Sequence, residues 1–570
     1  MRRAHGCLLL GSALFACGGS TAAPTGDGGS DVSVPRDTGI KPSPHDTGID
    51  SPVRPERDAG VDAARDTGID ATRDAADAHV LMTDAHDAAP PTPVGSTLSV
   101  GRRFLVEGVT DNGYVIYATP SSINAVPALG GTPTVLGAFG FDDAGVIGNG
   151  AVVVLHDLVF LWTDVTQFEA SALPVGTLSV WSPATSASSA PTVLSTSAIA
   201  PSPYGGVVVA ASADGSSLAY MVANTASGEI ASLVAASTAS LATHVTLDPS
   251  IGANPTGLCG PALNFAGGFL IARYCDVVSG DEGAPALFAY DTQAWRKKPL
   301  VQGVLASSVD GTGAYAAAVT VSGQLDLVST SSDSGAAVAV DPSVTLSSAE
   351  SIFLGVSDQF ILYTTPAGAL KASSVTGAPA LTTLVASKVN AIDGVSLDAK
   401  WVYVNDGTDP NTGYPSDLSL ASTSAAGAAR QLASNTVATT LGDGFTADSS
   451  YALFATGLGI NPMTGAFSGG TLNAAKVSAS TSPAVVTTNG GVQVNALTGT
   501  AILFADHYNA SGGLAGSADL RTVDVATTVA SSLVIAGADI SYALTKDRSK
   551  LVYTLNFGDS TDGLYIVSLP

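Results

Sequence analysis

Few residues in this chain have both the type and the spacing that chemistry needs. His156, His244 and His507 are the histidines after residue 93, and they stand far apart, without the spacing of metal ligands. No H-E-x-x-H, C-x-x-C, G-x-S-x-G or phosphate-binding glycine loop occurs. His156 precedes Asp157 at a turn, a setting for a solvated side chain. The cysteines are Cys7, Cys17, Cys259 and Cys275. The last two bracket CGPALNFAGGFLIARYC. A hairpin centred on Gly267 sets Cys259 opposite Cys275, Leu263 opposite Ile271 and Phe265 opposite Phe269. It predicts a disulfide, which an exported compartment permits and which is worth about 3 kcal/mol for so small a loop. Two buried thiols are the other reading. This inventory favours binding over catalysis, although a site drawn from several distant segments would leave no local motif.

The whole-chain numbers point the same way. The chain has 570 residues, of which 12% are charged, and a formal net charge of -25. Nucleic acid and anionic membrane surfaces call for basic patches, so neither is expected as the main partner. The acidity is expected to serve solubility.

The first residues read MRRAHGCLLLGSALFACGGS, with Arg2 and Arg3 ahead of a short apolar run. That is a secretory signal, too short to stay in a bilayer as a spanning helix. Leu14-Phe15-Ala16-Cys17 resembles the lipobox of bacterial lipoproteins, which implies that Cys17 is acylated and becomes the mature N-terminus. Gly18 after it, rather than Asp, implies an outer-membrane address in a Gram-negative host, on the periplasmic side or at the cell surface. From residue 18 to 94 the chain is rich in Asp, Ala, Gly and Pro, and RDTGI occurs at both Arg36 and Arg65. Such a segment buries too little apolar surface to fold. It is expected to be a disordered acidic tether reaching roughly 50 Å. Its Asp residues lack the alternate-position oxygen ligands of a calcium loop.

From residue 95 to 570 the texture changes to short strands separated by Gly, Ser, Thr, Asp and Asn, which predicts an all-β domain. One unit keeps returning: SADGSSLAYM at Ser212, SLDAKWVYV at Ser396, TKDRSKLVYTL at Thr545 and VSDQFILY at Val356. Each places an Asp in a hairpin turn ahead of an alternating apolar strand. About ten units follow one another at roughly 40–60 residues, starting near Ala151, Gly257, Val304, Ile352, Ala391, Thr440, Val492 and Asp539 in the later part of the series. Four antiparallel strands per unit select a β-propeller, and because propellers ordinarily carry four to eight blades, seven or eight is the alternative to ten. The units resemble the WD40-like repeats of TolB-type propellers, with Ala213 where that family has Pro. The resemblance implies protein partners. The last unit has only three strands, and TLSVGRRF at Thr97–Phe104 precedes the first. This segment is expected to close the ring, since a bare third strand would expose an edge.

In such a fold the loops between second and third strands share a face with the links between blades. The long ones start at Asp276, Asn405, Thr456, Asp506 and Asn556. Loops held by a rigid scaffold carry function. The candidate binding residues are therefore Asp281, Asp406, Asp409, Asn411, Tyr414, Asp417, Asn461, Asp506, His507, Tyr508, Asn509, Asp559 and Asp562. Their chemistry suits a protein, a glycan or Ca2+, with no other cofactor and no catalytic residue indicated. The expectation is a monomeric lipoprotein of the cell envelope, attached to the bilayer through Cys17, that binds or scaffolds a partner. The alternative is an extracytoplasmic hydrolase or lyase acting on carbohydrate.

Overall fold

The computed structural model describes residues 93–570 apart from short internal stretches, the longest being 142–149, 253–260, 345–353 and 408–415. Cys17 and the acidic tether lie outside the described residues. Seven four-stranded sheets and one twelve-stranded sheet carry the chain. The large sheet divides into three consecutive four-strand units, so the described residues form ten units in all. They span 105–137, 151–199, 209–252, 262–302, 304–341, 354–385, 391–436, 438–487, 490–539 and 543–568. Every unit is an antiparallel meander, as in the first: Leu105–Val109, Tyr114–Ala118, Ile123–Pro127 and Thr134–Gly137. The chain is a β-propeller.

The packing closes the circle. The first and second blades meet through Ile116, Ala118 and Ile123 against Val159, Leu161 and Trp181. Equivalent clusters follow the units round, each drawing mainly on two successive blades. The last join is made by Leu98, Phe104 and Val106 with Val552, Leu564 and Ile566. Because each blade is covered by a neighbour on both sides, second strands are buried on both faces. Tyr114–Ala118 is buried at four consecutive positions and Lys550–Leu555 at five. The alternation expected from sequence is therefore replaced there by continuous apolar runs, as two-sided burial requires.

The closing strand is Ser96–Val100, somewhat shorter than the expected segment. It pairs antiparallel with Gly563–Ser568, setting Ser96 against Ile566 and Val100 against Gly563. Phe104 lies beyond it in the link, where its backbone exchanges two hydrogen bonds of 3.0 Å with the Asn556 side chain. The Tyr553 hydroxyl holds Val94 at 2.6 and 2.9 Å, fixing the entry of the chain.

The recurrent turn has a common construction. The Ser212 hydroxyl donates to the Asp214 carboxylate at 2.6 Å and accepts the Ser217 N–H at 2.9 Å, while Asp214 accepts the Ser216 N–H at 3.0 Å. The same three bonds occur at Ser396-Asp398, Thr446-Asp448 and Thr545-Asp547. The turn thus needs a hydroxyl, then an Asp two residues on. Hydrogen bonds from Ser212 and Ser216 hold the Asp214 carboxyl at about 2, and those from Thr545 and Ser549 do the same for Asp547. The VSDQFILY turn falls outside the described residues.

The recurrent aromatic residue is a latch between blades. Tyr220 reaches the Leu194 carbonyl at 3.4 Å, Tyr274 reaches Asp248 at 3.0 Å and Tyr363 reaches Asp341 at 2.6 Å. In each case a second strand bonds to the outermost strand of the preceding blade. Tyr117 bonds Ser99 in the same way across the closing seam. Burial pushes the Asp341 carboxyl up, yet bonds from Lys371, Tyr363 and Ser343 outweigh it and hold the group below the usual range. Replacing Tyr363 with Phe removes one bond to a buried carboxylate, worth about 1.5–3 kcal/mol. Denaturant unfolding of Tyr363→Phe is expected to show a loss of that size, and an unchanged midpoint would contradict the latch.

Candidate functional site

Antiparallel order fixes which loops share a face. First-to-second turns and third-to-fourth turns lie on one side of the ring, and second-to-third loops with the links between blades lie on the other. On the short-turn side, successive blades are bonded to one another. The Asp398 N–H donates to Ser449 Oγ at 3.3 Å, the Asp448 N–H to the Gly499 carbonyl at 3.2 Å and Asn112 N–H to Asp157 Oδ1 at 2.6 Å. Lys546 pairs with Asp111 at 2.6 Å across the closing seam, and Arg548 of the tenth blade reaches past the ninth to pair with Asp443 of the eighth at 2.7 Å. His156 joins this network at 3.3 Å from Asp111. A cavity of about 450 Å³ lined by Asp111, Leu129, Lys546 and Lys550 lies there. The described residues also enter and leave the ring on this side: Leu569 N–H donates to the Ser549 carbonyl, and Ser96 lies at the same end of its sheet.

The long loops occupy the opposite side. Asp409, Asn411, Tyr414 and Asn461 lie outside the described residues. Asp281 and Asp406 stand in Asp281–Asp291 and Trp401–Gly407. The loop after Thr456 folds in part as a small hairpin, pairing Gly459–Ile460 with Phe467–Ser468. The remaining candidates are described, and most of their carboxylates are occupied by the loops themselves. Asp417 accepts the Asn435 N–H at 2.8 Å, and Asp519 does the same for Gly537 at 3.0 Å. Asn435 and Gly537 both have positive φ, at 45° and 63°, so each Asp pins a left-handed residue in the fourth strand. Asp562 is buried and accepts the N–H groups of Phe557 and Gly558 at 2.6 to 3.0 Å. Asp559 accepts both the N–H and the hydroxyl of Thr561.

What faces solvent is concentrated at the end of Ala501–Asn509. Asp506 is buried, accepts the Thr487 hydroxyl at 2.8 Å and lies 3.2 Å from His507 Nδ1. His507 has a φ of 52°, and its side chain is 58% exposed, with Asp519 3.7 Å away. Burial and then the nearby Asp539 charge raise the Tyr508 hydroxyl. Asn509 is exposed at the strand end. A groove of about 420 Å³ runs between the seventh and eighth blades, lined by Leu432, Phe454, Asn473 and Pro483 among others. Among the described residues, no three His, Cys, Asp or Glu side chains are grouped to hold a metal ion.

The Cys259–Cys275 hairpin differs in register from the expected one. Ala266 faces Phe269 and Leu263 faces Ala272, so the turn is the two-residue Gly267-Gly268. Gly267 has a φ of 56°, and two-residue turns with positive φ at the first position match the twist of the flanking strands. That shifts every described pair of the hairpin by one. Cys275 is buried and has a partner, and Cys259 lies outside the described residues.

One group escaped the sequence reading. Glu107 stands in the first strand of the first blade at an irregularity in the ladder between Val106 and Gly108. Its Oε1 is shut off from solvent without a hydrogen-bond partner, and burial alone raises the carboxyl to about 7. The signal for it was a lone acid inside the apolar run FLVEGVT.

No family model matches the chain, and no curated protein does. Solved structures do. A eukaryotic initiation factor structure is similar over 70% of this chain and 89% of that one, at 12% identity and a TM-score of 0.39. An oligogalacturonate lyase in complex with manganese is similar over 85% and 97%, at 9% identity and a TM-score of 0.32. Apo AztD from Citrobacter koseri is similar over 51% and 72%, at 15% identity and a TM-score of 0.29. These proteins differ from one another in function, and none of the likenesses bears on the activity of this chain.

Proposed function

We propose that this is a lipid-anchored extracytoplasmic propeller that binds or scaffolds a protein or glycan of the envelope through its long-loop face. One observation carries the reading: Val94 and the last strand both leave the ring on the braced short-turn side. Val94 thus enters on the side of the ring opposite the long loops, on which His507, Tyr508 and Asn509 are presented. In this reading Cys17 bears the lipid and the protein is a monomer at the outer membrane.

Intact-mass analysis of the exported protein tests the anchor and the disulfide together. The expected species starts at an acylated Cys17 and lacks two hydrogens in the peptides joining Cys259 and Cys275. Cys17→Ser is expected to move the protein into the soluble exported fraction. A variant that still partitions with membranes, or two alkylatable thiols, would contradict the respective assignment. The face is tested in cells with a photo-crosslinking residue in place of Asn509 or of Asp547. Adducts are expected from position 509, and adducts from 547 alone would overturn the reading.

Glu107 is the observation that favours a second reading, a carbohydrate hydrolase or lyase. A carboxyl at about 7 suits a general acid. Glycoside hydrolysis also needs a second carboxyl group about 5–9.5 Å away, and no charged neighbour contributes to the Glu107 shift.

A further inference from the structure

Three arginines packed among the blades are matched to acceptors. Arg548 meets Asp443 at 2.7 Å, Arg521 donates to Ser531 Oγ at 2.9 Å, and Arg273 donates to the Leu305 carbonyl at 3.4 Å. Arg430 is not matched. It opens Arg430–Thr436, the outermost strand of the seventh blade, and its Nε and both terminal nitrogens are shut off from solvent without a hydrogen-bond partner. Burial is the larger influence on this guanidinium and lowers it from its ordinary value, while the Tyr403 hydroxyl acts the other way. Among the described residues no carboxylate contributes. Arginine keeps its charge in proteins, so the fold encloses a cation that no described side chain pairs.

Tyr403 places this cation at the interface of the seventh and eighth blades. It is fully buried, and its hydroxyl donates to the Gly444 and Leu453 carbonyls of the eighth blade at 2.9 and 3.0 Å. Leu432, two residues along the strand from Arg430, packs on the same interface and also lines the groove of about 420 Å³. Two residues of strand span about 7 Å, a distance an arginine side chain covers. The guanidinium is therefore closed in beside the groove. The groove itself offers donors and no acid: its lining contains no Asp or Glu, in a chain with 48 of them against 23 Lys and Arg. Thr436 Oγ1 accepts the Gly457 N–H at 3.2 Å, and Thr456 Oγ1 accepts from Asn473 Nδ2 at 3.2 Å. Both hydroxyl protons are left for a ligand. Leu432, Phe454 and Pro483 supply an apolar wall.

We propose that the groove between the seventh and eighth blades binds a small organic carboxylate, received by Arg430 and by the hydroxyls of Thr436 and Thr456. The guanidinium turns from its enclosed position towards the groove. It thereby exchanges a setting without acceptors for a two-pronged pair with a carboxylate, which its planar fork fits. The groove has the size of a small-molecule site, with few polar groups on an apolar wall. That wall decides between oxyanions: it covers the hydrocarbon part of an organic acid and gives nothing to inorganic phosphate. The site uses none of His507, Tyr508 and Asn509, so it stands apart from the proposed long-loop binding.

The probe is hexanoate, titrated by calorimetry against the full mature chain, with inorganic phosphate and hexanol alongside. Saturable binding of hexanoate is expected, with phosphate and hexanol each weaker by about tenfold or more. Hydrogen–deuterium exchange should place new protection at residues 430–436 and 454–457. Arg430→Met keeps an unbranched side chain and removes the fork, so affinity should fall about tenfold or more. Its melting temperature should equal or exceed that of the native chain, because an unpaired enclosed charge is gone. Thr456→Val leaves Arg430 in place and should weaken binding about threefold to tenfold. Lys476→Met removes an exposed cation at the end of Thr471–Lys476 and should leave the affinity unchanged. No saturable binding, protection elsewhere, or full affinity in Arg430→Met would overturn the proposal. Phosphate or hexanol binding as tightly as hexanoate would overturn it too, by showing a site that reads charge alone or apolar surface alone. Crosslinking at position 509 is unaffected by any of these outcomes.

Discussion

A chain that begins at Leu105 is expected to lose the closed ring, whereas one that begins at Pro93 keeps it. The difference is twelve residues, and the energies explain why so few matter. Leu98 and Phe104 are 6% and 4% exposed and sit in the core between the last and first blades. Deleting a buried Leu or Phe side chain costs about 2–5 and 3–5 kcal/mol respectively. The truncation also removes the ladder to Gly563–Ser568, the Tyr553 bonds to Val94 and the Asn556 bonds to Phe104. The total is comparable with the whole stability of an ordinary domain, about 5–15 kcal/mol. Deleting residues before Pro93 touches none of these contacts, so its melting temperature should match that of the full mature chain. Equal melting temperature and protease resistance for the two truncations would mean that the ring is closed in some other way.

Glu107→Gln is expected to stabilise the protein above neutral pH, an unusual direction for a substitution in a core strand. Burial raises this carboxyl from 4.5 to about 7, so the folded state favours the neutral form. The favourable contribution is complete below the unfolded value of 4.5 and is lost as pH rises through 4.5 to about 7. Above that, the fold carries the cost of a half-buried carboxylate with one oxygen shut off from solvent, at most on the order of 3 kcal/mol. Gln has the same shape and no charge, so the variant should lose this pH dependence. Chemical denaturation at pH 5 and pH 8 measures it. A wild-type protein equally stable at both values, or a variant that is not stabilised at pH 8, would contradict the assignment. A Glu107 that instead loses measurable glycan cleavage on substitution would favour the enzymatic reading.

The fold was legible because its unit is local. Four of the turns share a hydroxyl and an Asp two residues apart, as at Ser212 and Asp214, and that pair survives in sequence where the flanking strands vary. The open third strand at the C-terminus and the spare strand near Thr97 announced closure in the same way. The site was less legible because an Asp in a long loop has two uses that look alike in sequence. Asp417 and Asp519 hold left-handed residues, and Asp562 caps its own loop, so their carboxylates are spent on structure. Nothing in the sequence alone separates them from His507, which faces solvent. The cysteine hairpin failed in register for a geometric reason: AGG offers either a turn centred on Gly267 or one across Gly267-Gly268, and strand twist selects the second. Glu107 escaped because burial of one acid depends on packing between blades that no local pattern records.

A ten-blade ring sealed by Ser96–Val100 in the last blade is tested most directly by a crosslink across that seam. Ser99 and Leu564 are directly opposed partners across the closing seam. Opposed positions in an antiparallel pair bring Cβ atoms to about 4.5–5.5 Å, close enough for a disulfide with a small adjustment. Peptide mapping of the non-reduced Ser99→Cys, Leu564→Cys protein should find these two positions joined, closing a loop through nearly the whole ring. Two freely alkylatable thiols at 99 and 564 in a folded protein would contradict the account.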